Sequence, residues 1–340
     1  MNTQILFRSR PAGEPHESNF RRVQHGIPTP LKGEILCRTI WLSLDPYMRP
    51  RMNETATYTD PVDFGQVMVG ATVGQVVESH VEGFAAGDFV LGFGGWQSYW
   101  LTDGSDLRKL DPALAPISTA LGVLGMPGLT AYVTVMDIVE VKSGETVVVS
   151  AAAGAVGSAA GQIAKIQGCR VVGLAGSDEK CRWVTGELGF DACINYKTSK
   201  DLDAALAKLC PDGIDAYVEN VGGPVGEAAM RNLKVGGRVA LVGLISQYNE
   251  RKQHHRLDIS PLLWKRATLR GMIVRDHVKR TPHYLRDASG WMRDGKLKYR
   301  ETIVVGLDNA PQALLGLFHG ENIGKMLVQA VPDPSRGVSR

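Results

Sequence analysis

The chain has 340 residues, a little over twice the roughly 150 of a typical domain, so two packed units are expected. Lys and Arg total 38 against 35 Asp and Glu, a net charge of +3 that carries no electrostatic footprint for nucleic acid. With 44% hydrophobic and 21% charged residues, the composition excludes a disordered chain and a membrane bundle.

Near the start only Ile5, Leu6 and Phe7 precede Arg8 and Arg10, too few for the apolar core of a secretion signal, so a cytoplasmic protein is expected. Residues 1–110 carry short β-branched or aromatic runs at 35–44, 74–78 and 88–92. Turn signals such as Ala86-Gly87-Asp88 and Gly94-Gly95 separate them closely, which predicts a small, mainly β, barrel-like unit. Two charge-free stretches follow, 112–136 and 146–164. The first is broken by Pro116 and Pro127, and the second is mostly alanine and glycine, so both suit a protein interior rather than a membrane span.

From residue 147 the texture changes. Apolar runs at 147–150, 171–175, 192–195, 214–219, 238–243 and 268–274 alternate with helical patterns that end at 167 or cover 178–187, 200–209, 225–233 and 284–294. That rhythm predicts a parallel sheet with helices on both faces. Residues 301–331 return to mixed strand and helix and can rejoin the first unit, and 332–340 read as a loose tail. The expected division is 1–121, 122–300 and 301–340. Cys37, Cys169, Cys181, Cys193 and Cys210 form no CxxC and have no histidine at ligand spacing. They read as small buried hydrophobes in a reducing compartment. Neither HExxH nor GxSxG occurs, so metalloprotease and serine-hydrolase chemistry lose their usual support.

The strongest constellation is Ala151-Ala152-Ala153-Gly154-Ala155-Val156-Gly157, directly after the first of these strands and opening a helix. Small residues let the backbone approach a pyrophosphate, and the helix N-terminus offers free N–H groups and a positive dipole. Alone, such a turn could be only a tight turn; followed by at least three more strand–helix units, it points to a dinucleotide. An NAD site would place an acid at the end of the second strand, but here Leu174-Ala175-Gly176-Ser177 has none and Lys180 lies one turn later. A cation plus a hydroxyl suits a 2′-phosphate, hence NADPH, with Arg182 a further helper. The plainer alternative makes Lys180 a solvated first-turn lysine and Asp178 or Glu179 helix caps. Residues 219–223 and 242–246 should border the nicotinamide half, with Asn220 either touching cofactor or capping the next helix.

Further stretches carry a family likeness. They are Leu42-Ser43-Leu44-Asp45-Pro46-Tyr47-Met48-Arg49, Gly125-Met126-Pro127-Gly128-Leu129-Thr130-Ala131-Tyr132, Gly176-Ser177-Asp178-Glu179-Lys180, Ser246-Gln247-Tyr248-Asn249 and Asn322-Ile323-Gly324-Lys325. With the glycine-rich turn and 219–223 they resemble the zinc-independent medium-chain dehydrogenase/reductase superfamily. More narrowly they resemble the group of prostaglandin reductases, plant double-bond reductases and bacterial curcumin reductases. The resemblance implies an α/β protein with a Rossmann doubly wound parallel sheet domain plus a GroES-like, mainly β domain. It implies NADPH-dependent reduction of the carbon–carbon double bond of α,β-unsaturated ketones and aldehydes. Gly154, Ala155, Val156 and Gly157 would hold the pyrophosphate, and Ser177, Lys180 and Tyr196 the 2′-phosphate. Asn220 and Asn322 would meet the nicotinamide end, with Met126 and Thr130 beside the ring, and Gly243, Ile245, Ser246, Tyr248, Met272, Ile273 and Val274 would complete the cofactor wall.

In that chemistry the developing enolate oxygen needs a donor, and a phenol, neutral near pH 7, can provide one. Tyr248 is the first candidate and Tyr47 the second, although loop tyrosines are commonly amphipathic packing residues. The final proton can come from water. A basic run with Arg251, Lys252, His254, His255 and Arg256 could fold over the cofactor or attract an acidic group, and its plainer interpretation is a solvated loop. Local departures, Arg49-Pro50-Arg51-Met52 and Val69-Gly70-Ala71-Thr72, fall in the first unit and bear on substrate preference. The Gly-His-Glu element and four-cysteine lobe of zinc-dependent cousins are absent from the sequence, so no metal is expected. A quinone oxidoreductase of the same superfamily and a non-enzymatic NADPH-binding protein are the alternatives. The open edge of a parallel sheet leads us to expect a homodimer.

Overall fold

In the computed structural model, which describes residues 1–250 and 258–337, β1 (Asn2–Phe7) and β2 (Phe20–His25) form an antiparallel ribbon. The expected β runs follow as β3 (Ile35–Ser43), β4 (Thr72–Ser79) and β5 (Phe89–Gly92), then β6 (Tyr99–Thr102) and β7 (Arg108–Leu110). β3 pairs antiparallel with β4 and β6. Covered on both faces, it is nearly continuously apolar, and Ile35, Leu36, Cys37, Ile40, Trp41 and Leu42 are all buried.

After α1 (Met126–Val133) the alternation begins: β8 (Thr146–Ser150), α2 (Ala155–Ile166), β9 (Arg170–Ala175), α3 (Asp178–Gly186) and β10 (Ala192–Asn195). It continues with α4 (Leu202–Leu209), β11 (Ile214–Glu219), α5 (Gly223–Arg231), β12 (Leu233–Leu241), α6 (Ser260–Lys265), β13 (Thr268–Gly271) and α7 (Thr281–Arg293). The six strands are parallel, in the order β10-β9-β8-β11-β12-β13. Relative to chain order this is the doubly wound arrangement, and the direction of winding reverses between β8 and β11, where such sheets bind ligands. Val147, Val148 and Val149 of β8 are fully buried, as a central strand flanked on both edges and covered on both faces requires.

Two strand boundaries differ most from expectation. β12 starts at Leu233 rather than at 238, because Leu233 pairs with Ile214 before a register shift to Ala216 and Arg238. Gly236, at φ +80°, takes up the irregularity, and in the sequence the Gly236-Gly237 pair looks like a turn instead. The sixth strand stops at Gly271 rather than 274, since its partner β12 ends opposite it at Leu241, and a 3₁₀ stretch occupies Val274–Arg280.

β14 (Glu301–Val305), α8 (Ala310–His319) and β15 (Lys325–Gln329) return to the first sheet. There the order is β14-β15-β3-β4-β5-β7, with β15 antiparallel to β3. Lys325, only 4% exposed, donates to Asp45 Oδ1 at 3.0 Å, to the Leu44 carbonyl at 2.5 Å and to the Met326 carbonyl at 3.2 Å, so its buried charge is paired. The chain thus forms one unit from Met1–Gly122 with Glu301–Arg340, and another from Val123–Arg300. Among the described residues, no helix is long and apolar enough to cross a membrane.

Candidate active site

The glycine-rich turn begins where β8 ends. Ala151 adopts φ +48°, a left-handed conformation that costs an L-residue about 1–2 kcal/mol. The turn holds it there: the Gly154 N–H donates to the Ala151 carbonyl at 2.8 Å, and the Ala152 N–H donates to the Leu174 carbonyl at 3.0 Å. Gly154 is the residue before α2, so Ala155, Val156 and Gly157 supply first-turn N–H groups that have no intrahelical acceptor. Two glycines here have different jobs. A methyl group at Gly157 would run into the Ala151 carbonyl and backbone, so this glycine lets helix and turn pack. One at Gly154 would meet only the Ala151 oxygen, at 3.2 Å, so its Cβ side is otherwise open. Free N–H groups, a helix N-terminus and an unfilled glycine face fit the pyrophosphate of a dinucleotide.

At the end of β9 the chain reads Ala175-Gly176-Ser177 with no acid. Ser177 caps α3, its Oγ accepting the Lys180 N–H at 3.3 Å. Asp178 is therefore not the cap. Its carboxylate instead accepts from Asn195 Nδ2 at 2.8 Å, tying the start of α3 to the end of β10. The next residue, Tyr196, is drawn in by its N–H bond to the Ala175 carbonyl at 3.0 Å. Its hydroxyl lies over Gly176, 2.9 Å from where a methyl would stand, and burial pushes that phenol up. Burial, followed by the nearby Lys197 ammonium, pulls the half-buried Lys180 below the usual lysine range, with Glu179 opposing. Two cations, a serine and a phenol thus gather at adjacent strand ends, an arrangement suited to a dianion. Lys197 is absent from the sequence-based candidates; its signal was its place directly after Tyr196 at the end of the third strand. Arg182 is exposed on α3.

At the reversal point the buried Glu219 organises the backbone, a second residue that spacing did not single out. Its Oε1 accepts from Ser150 Oγ at 2.9 Å and from the N–H groups of Val221 at 2.7 Å and Gly222 at 3.0 Å. Asn220 donates through Nδ2 to the Ser150 carbonyl and through its own N–H to Ser150 Oγ, both at 2.8 Å. It does not cap α5, whose cap position is Gly222 without a side-chain bond. The Ser246 hydroxyl donates to the Val221 carbonyl at 2.6 Å, and the Ile245 N–H to the Asn220 carbonyl at 3.2 Å. These bonds fold the segment after β12 back over the end of β11. Tyr248 follows. Its hydroxyl accepts the Leu244 N–H at 3.3 Å and lies 3.4 Å from a would-be methyl at Gly243. Burial raises this phenol above its ordinary value, while the Leu244 N–H opposes the rise.

Other candidates spread along the same unit. Met272 is buried beyond β13, its N–H bonded to the Leu241 carbonyl at 3.1 Å, and Ile273 and Val274 follow half-buried. On α1, the Thr130 hydroxyl donates to the Met126 carbonyl at 2.8 Å, and Met126 is exposed. Tyr47 and Asn322 belong to the first unit. There Tyr47 packs half-buried against the core, and Asn322 Nδ2 donates to the Gly324 carbonyl at 2.7 Å. Arg251, Lys252, His254, His255 and Arg256 lie outside the described residues. Cys37, Cys169 and Cys210 are buried as expected, but Cys181 and Cys193 are half-buried, with their sulfurs 2.7 Å apart. Among the described residues no cluster of three or more His, Cys, Asp or Glu side chains could hold a metal ion.

Comparison with known proteins agrees with this geometry. A model of the N-terminal domain of oxidoreductases matches residues 3–110, and a model described as zinc-binding dehydrogenase matches 155–290. The chain is 46% identical over 338 residues to the NADPH-dependent curcumin reductase of Escherichia coli, covering 98% of both chains. It is 41% identical over 332 residues to the NADP(+)-dependent 2-alkenal reductase of Nicotiana tabacum, covering 96% of this chain and 97% of that one. The crystal structure of CurA from Vibrio vulnificus in complex with NADPH superposes with a TM-score of 0.93 at 47% identity, over 97% of this chain and 100% of that chain. With sheet order, glycine-rich turn and full-length identity in accord, the chain belongs to the zinc-independent medium-chain dehydrogenase/reductase superfamily, among its curcumin and 2-alkenal reductases.

Proposed function

We propose that this NADP-dependent oxidoreductase uses NADPH to reduce the carbon–carbon double bond of α,β-unsaturated ketones and aldehydes. The observation that carries the proposal is the gathering of Lys180 and Lys197 beside a β9 end, 174–177, that lacks an acid, together with the open turn at Gly154. The names of the relatives support it: one reduces curcumin and another 2-alkenals.

When bound, NADPH supplies a hydride. The chain's own task is to seat the pyrophosphate on the N–H groups of Ala155, Val156 and Gly157 and the 2′-phosphate against Lys180, Ser177 and Tyr196. Asn220, Ser246 and Met272, with Thr130 of α1, hold the walls at the nicotinamide end. As a double bond conjugated to a carbonyl is reduced, negative charge gathers on the carbonyl oxygen, and a donor placed there stabilises it. Tyr248 takes this role: its oxygen accepts from Leu244, which polarises the O–H toward the substrate. Tyr47 is the second candidate.

The test is a panel of enones, enals and quinones assayed with NADPH and with NADH. The expected result is NADPH oxidation with an enone and recovery of the saturated ketone. An allylic alcohol, or turnover of quinones alone, would refute it. We also propose a homodimer. β13 is an outer strand of its sheet among the described residues, and Leu263 and Trp264 on the preceding α6 are 75% and 62% exposed. Light scattering at the mass of a single chain would overturn that proposal.

A further inference from the structure

Cys181 sits in the first turn of α3, immediately after Lys180, and Cys193 sits in the middle of β10, three residues before Tyr196. Their sulfurs are 2.7 Å apart, so forming a bond of about 2.05 Å asks for roughly 0.7 Å of closure. Both side chains are half-buried, within reach of a small oxidant, whereas Cys37, Cys169 and Cys210 are buried. Cys193 Sγ also lies 3.3 Å from a would-be methyl at Gly173, whose nearest neighbour, at 2.9 Å, is Ala152 of the glycine-rich turn. The pair is therefore wedged among the elements that form the proposed cofactor cradle.

We propose that Cys181 and Cys193 are a redox modification site, closing to a reversible disulfide under hydroperoxide and thereby weakening the grip of Lys180 and Tyr196 on the 2′-phosphate. The effect on cofactor rests on the function proposed above; the site itself does not.

The local chemistry assigns the two roles. Cys181 lies at a helix N-terminus, and the hydrogen bond from Cys193 lowers its thiol further, which favours the thiolate. Cys193 keeps its proton, raised by that same bond and by burial. The Cys181 thiolate attacks a hydroperoxide, breaking the O–O bond; the alcohol leaves with one proton and Cys181 becomes a sulfenic acid. Cys193 Sγ then attacks Cys181 Sγ, the S–O bond breaks, and hydroxide leaves as water with the Cys193 proton. In sum two thiols and one hydroperoxide give one disulfide, one alcohol and one water, with two electrons passing from sulfur to the peroxide. A thiol reductant reverses it.

Bonding would pull the first turn of α3 toward β10, displacing Lys180 relative to Tyr196. Because coupling between two sites is reciprocal, NADPH should resist closure by the factor that closure costs its affinity. NADH, lacking the 2′-phosphate, should feel neither effect.

The experiment treats the reduced full-length protein with hydrogen peroxide, with and without NADPH, traps free thiols and maps peptides by mass spectrometry. The expected result is a linked Cys181–Cys193 peptide, removed by dithiothreitol. NADPH binding should weaken about fivefold in the linked form, with NADH binding unchanged. Cys193→Ser should stop at the sulfenic acid or beyond and form no link, while keeping its NADPH affinity after peroxide. The site is overturned if Cys181 and Cys193 remain thiols, if Cys181 over-oxidises in the parent protein without linking, or if other cysteines pair. A mapped link with unchanged NADPH affinity overturns the coupling. A reduced protein without preference for NADPH over NADH would instead sink the 2′-phosphate assignment and leave the mapped link standing.

Discussion

The Leu244 N–H donates to the hydroxyl oxygen of Tyr248, four residues further on, at 3.3 Å. The phenol oxygen is thus already an acceptor, and its proton is what remains to be given. Replacing Tyr248 by Phe should lower kcat about 100-fold, the range for loss of one oxyanion donor, while leaving the KM for NADPH nearly unchanged. The sign with pH follows from burial. A phenol raised above its usual value stays protonated through neutral pH, and its donation is lost only as pH climbs past about 10. A pH–rate profile that falls between pH 7 and 9 in the parent enzyme but not in Tyr248→Phe would contradict this.

Lys180 titrates the other way. Burial and Lys197 pull it below the normal lysine range, so it loses its charge earlier on the alkaline side than a free lysine would. NADPH should restore the proton, and its affinity should fall toward pH 10 more steeply than that of NADH. Fluorescence titrations at stepped pH measure the ratio. Lys180→Ala should flatten it and cost NADPH about 10-fold or more in binding, a charge-assisted contact to phosphate being worth about 1.5–3 kcal/mol.

The two glycines of the turn separate folding from binding. Gly154→Ala meets one oxygen at 3.2 Å and has an ordinary φ of −83°, so thermal stability should change by less than about 1 kcal/mol. The same methyl projects into the space assigned to the pyrophosphate and should weaken NADPH at least about 10-fold, since a backbone approach of this kind needs glycine. Gly157→Ala drives a methyl into the Ala151 carbonyl and should destabilise the second unit by about 1–3 kcal/mol even without cofactor. Thermal melts and cofactor titrations of both variants decide the matter, and equal melting losses would defeat the distinction.

Glu219→Ala removes the acceptor shared by Ser150, Val221 and Gly222. Ser150 Oγ keeps the Val218 carbonyl at 3.2 Å, but the Val221 and Gly222 N–H groups lose their acceptor; at about 1–3 kcal/mol for each buried donor without a partner, unfolding by denaturant should show a loss of about 2 kcal/mol or more. Glu219→Gln keeps an acceptor oxygen in place and should lose less.

What could be read before the structure was whatever is written locally. The strand, turn and helix around Gly154 are consecutive in sequence, and six apolar runs at regular spacing announced a parallel sheet. Contacts that depend on how distant strands align were not visible. Lys197 approaches Lys180, and Cys193 approaches Cys181, only because β10 lies against β9 in one register. For the same reason the cysteines looked like five inert fillers, while two of them touch. β12 was cut short because Gly236-Gly237 imitates a turn where the strand merely bulges.

The place of β15 beside β3 has a consequence for birth on the ribosome. Residues 41–43 of β3 await a neighbour encoded beyond the whole second unit. At about 5–20 residues per second, that neighbour arrives roughly 15 to 60 s later. The contiguous middle of the chain can be finished first, while an early, strongly apolar strand waits with a bare flank, and it is in that interval that a nascent polypeptide has most need of chaperone cover.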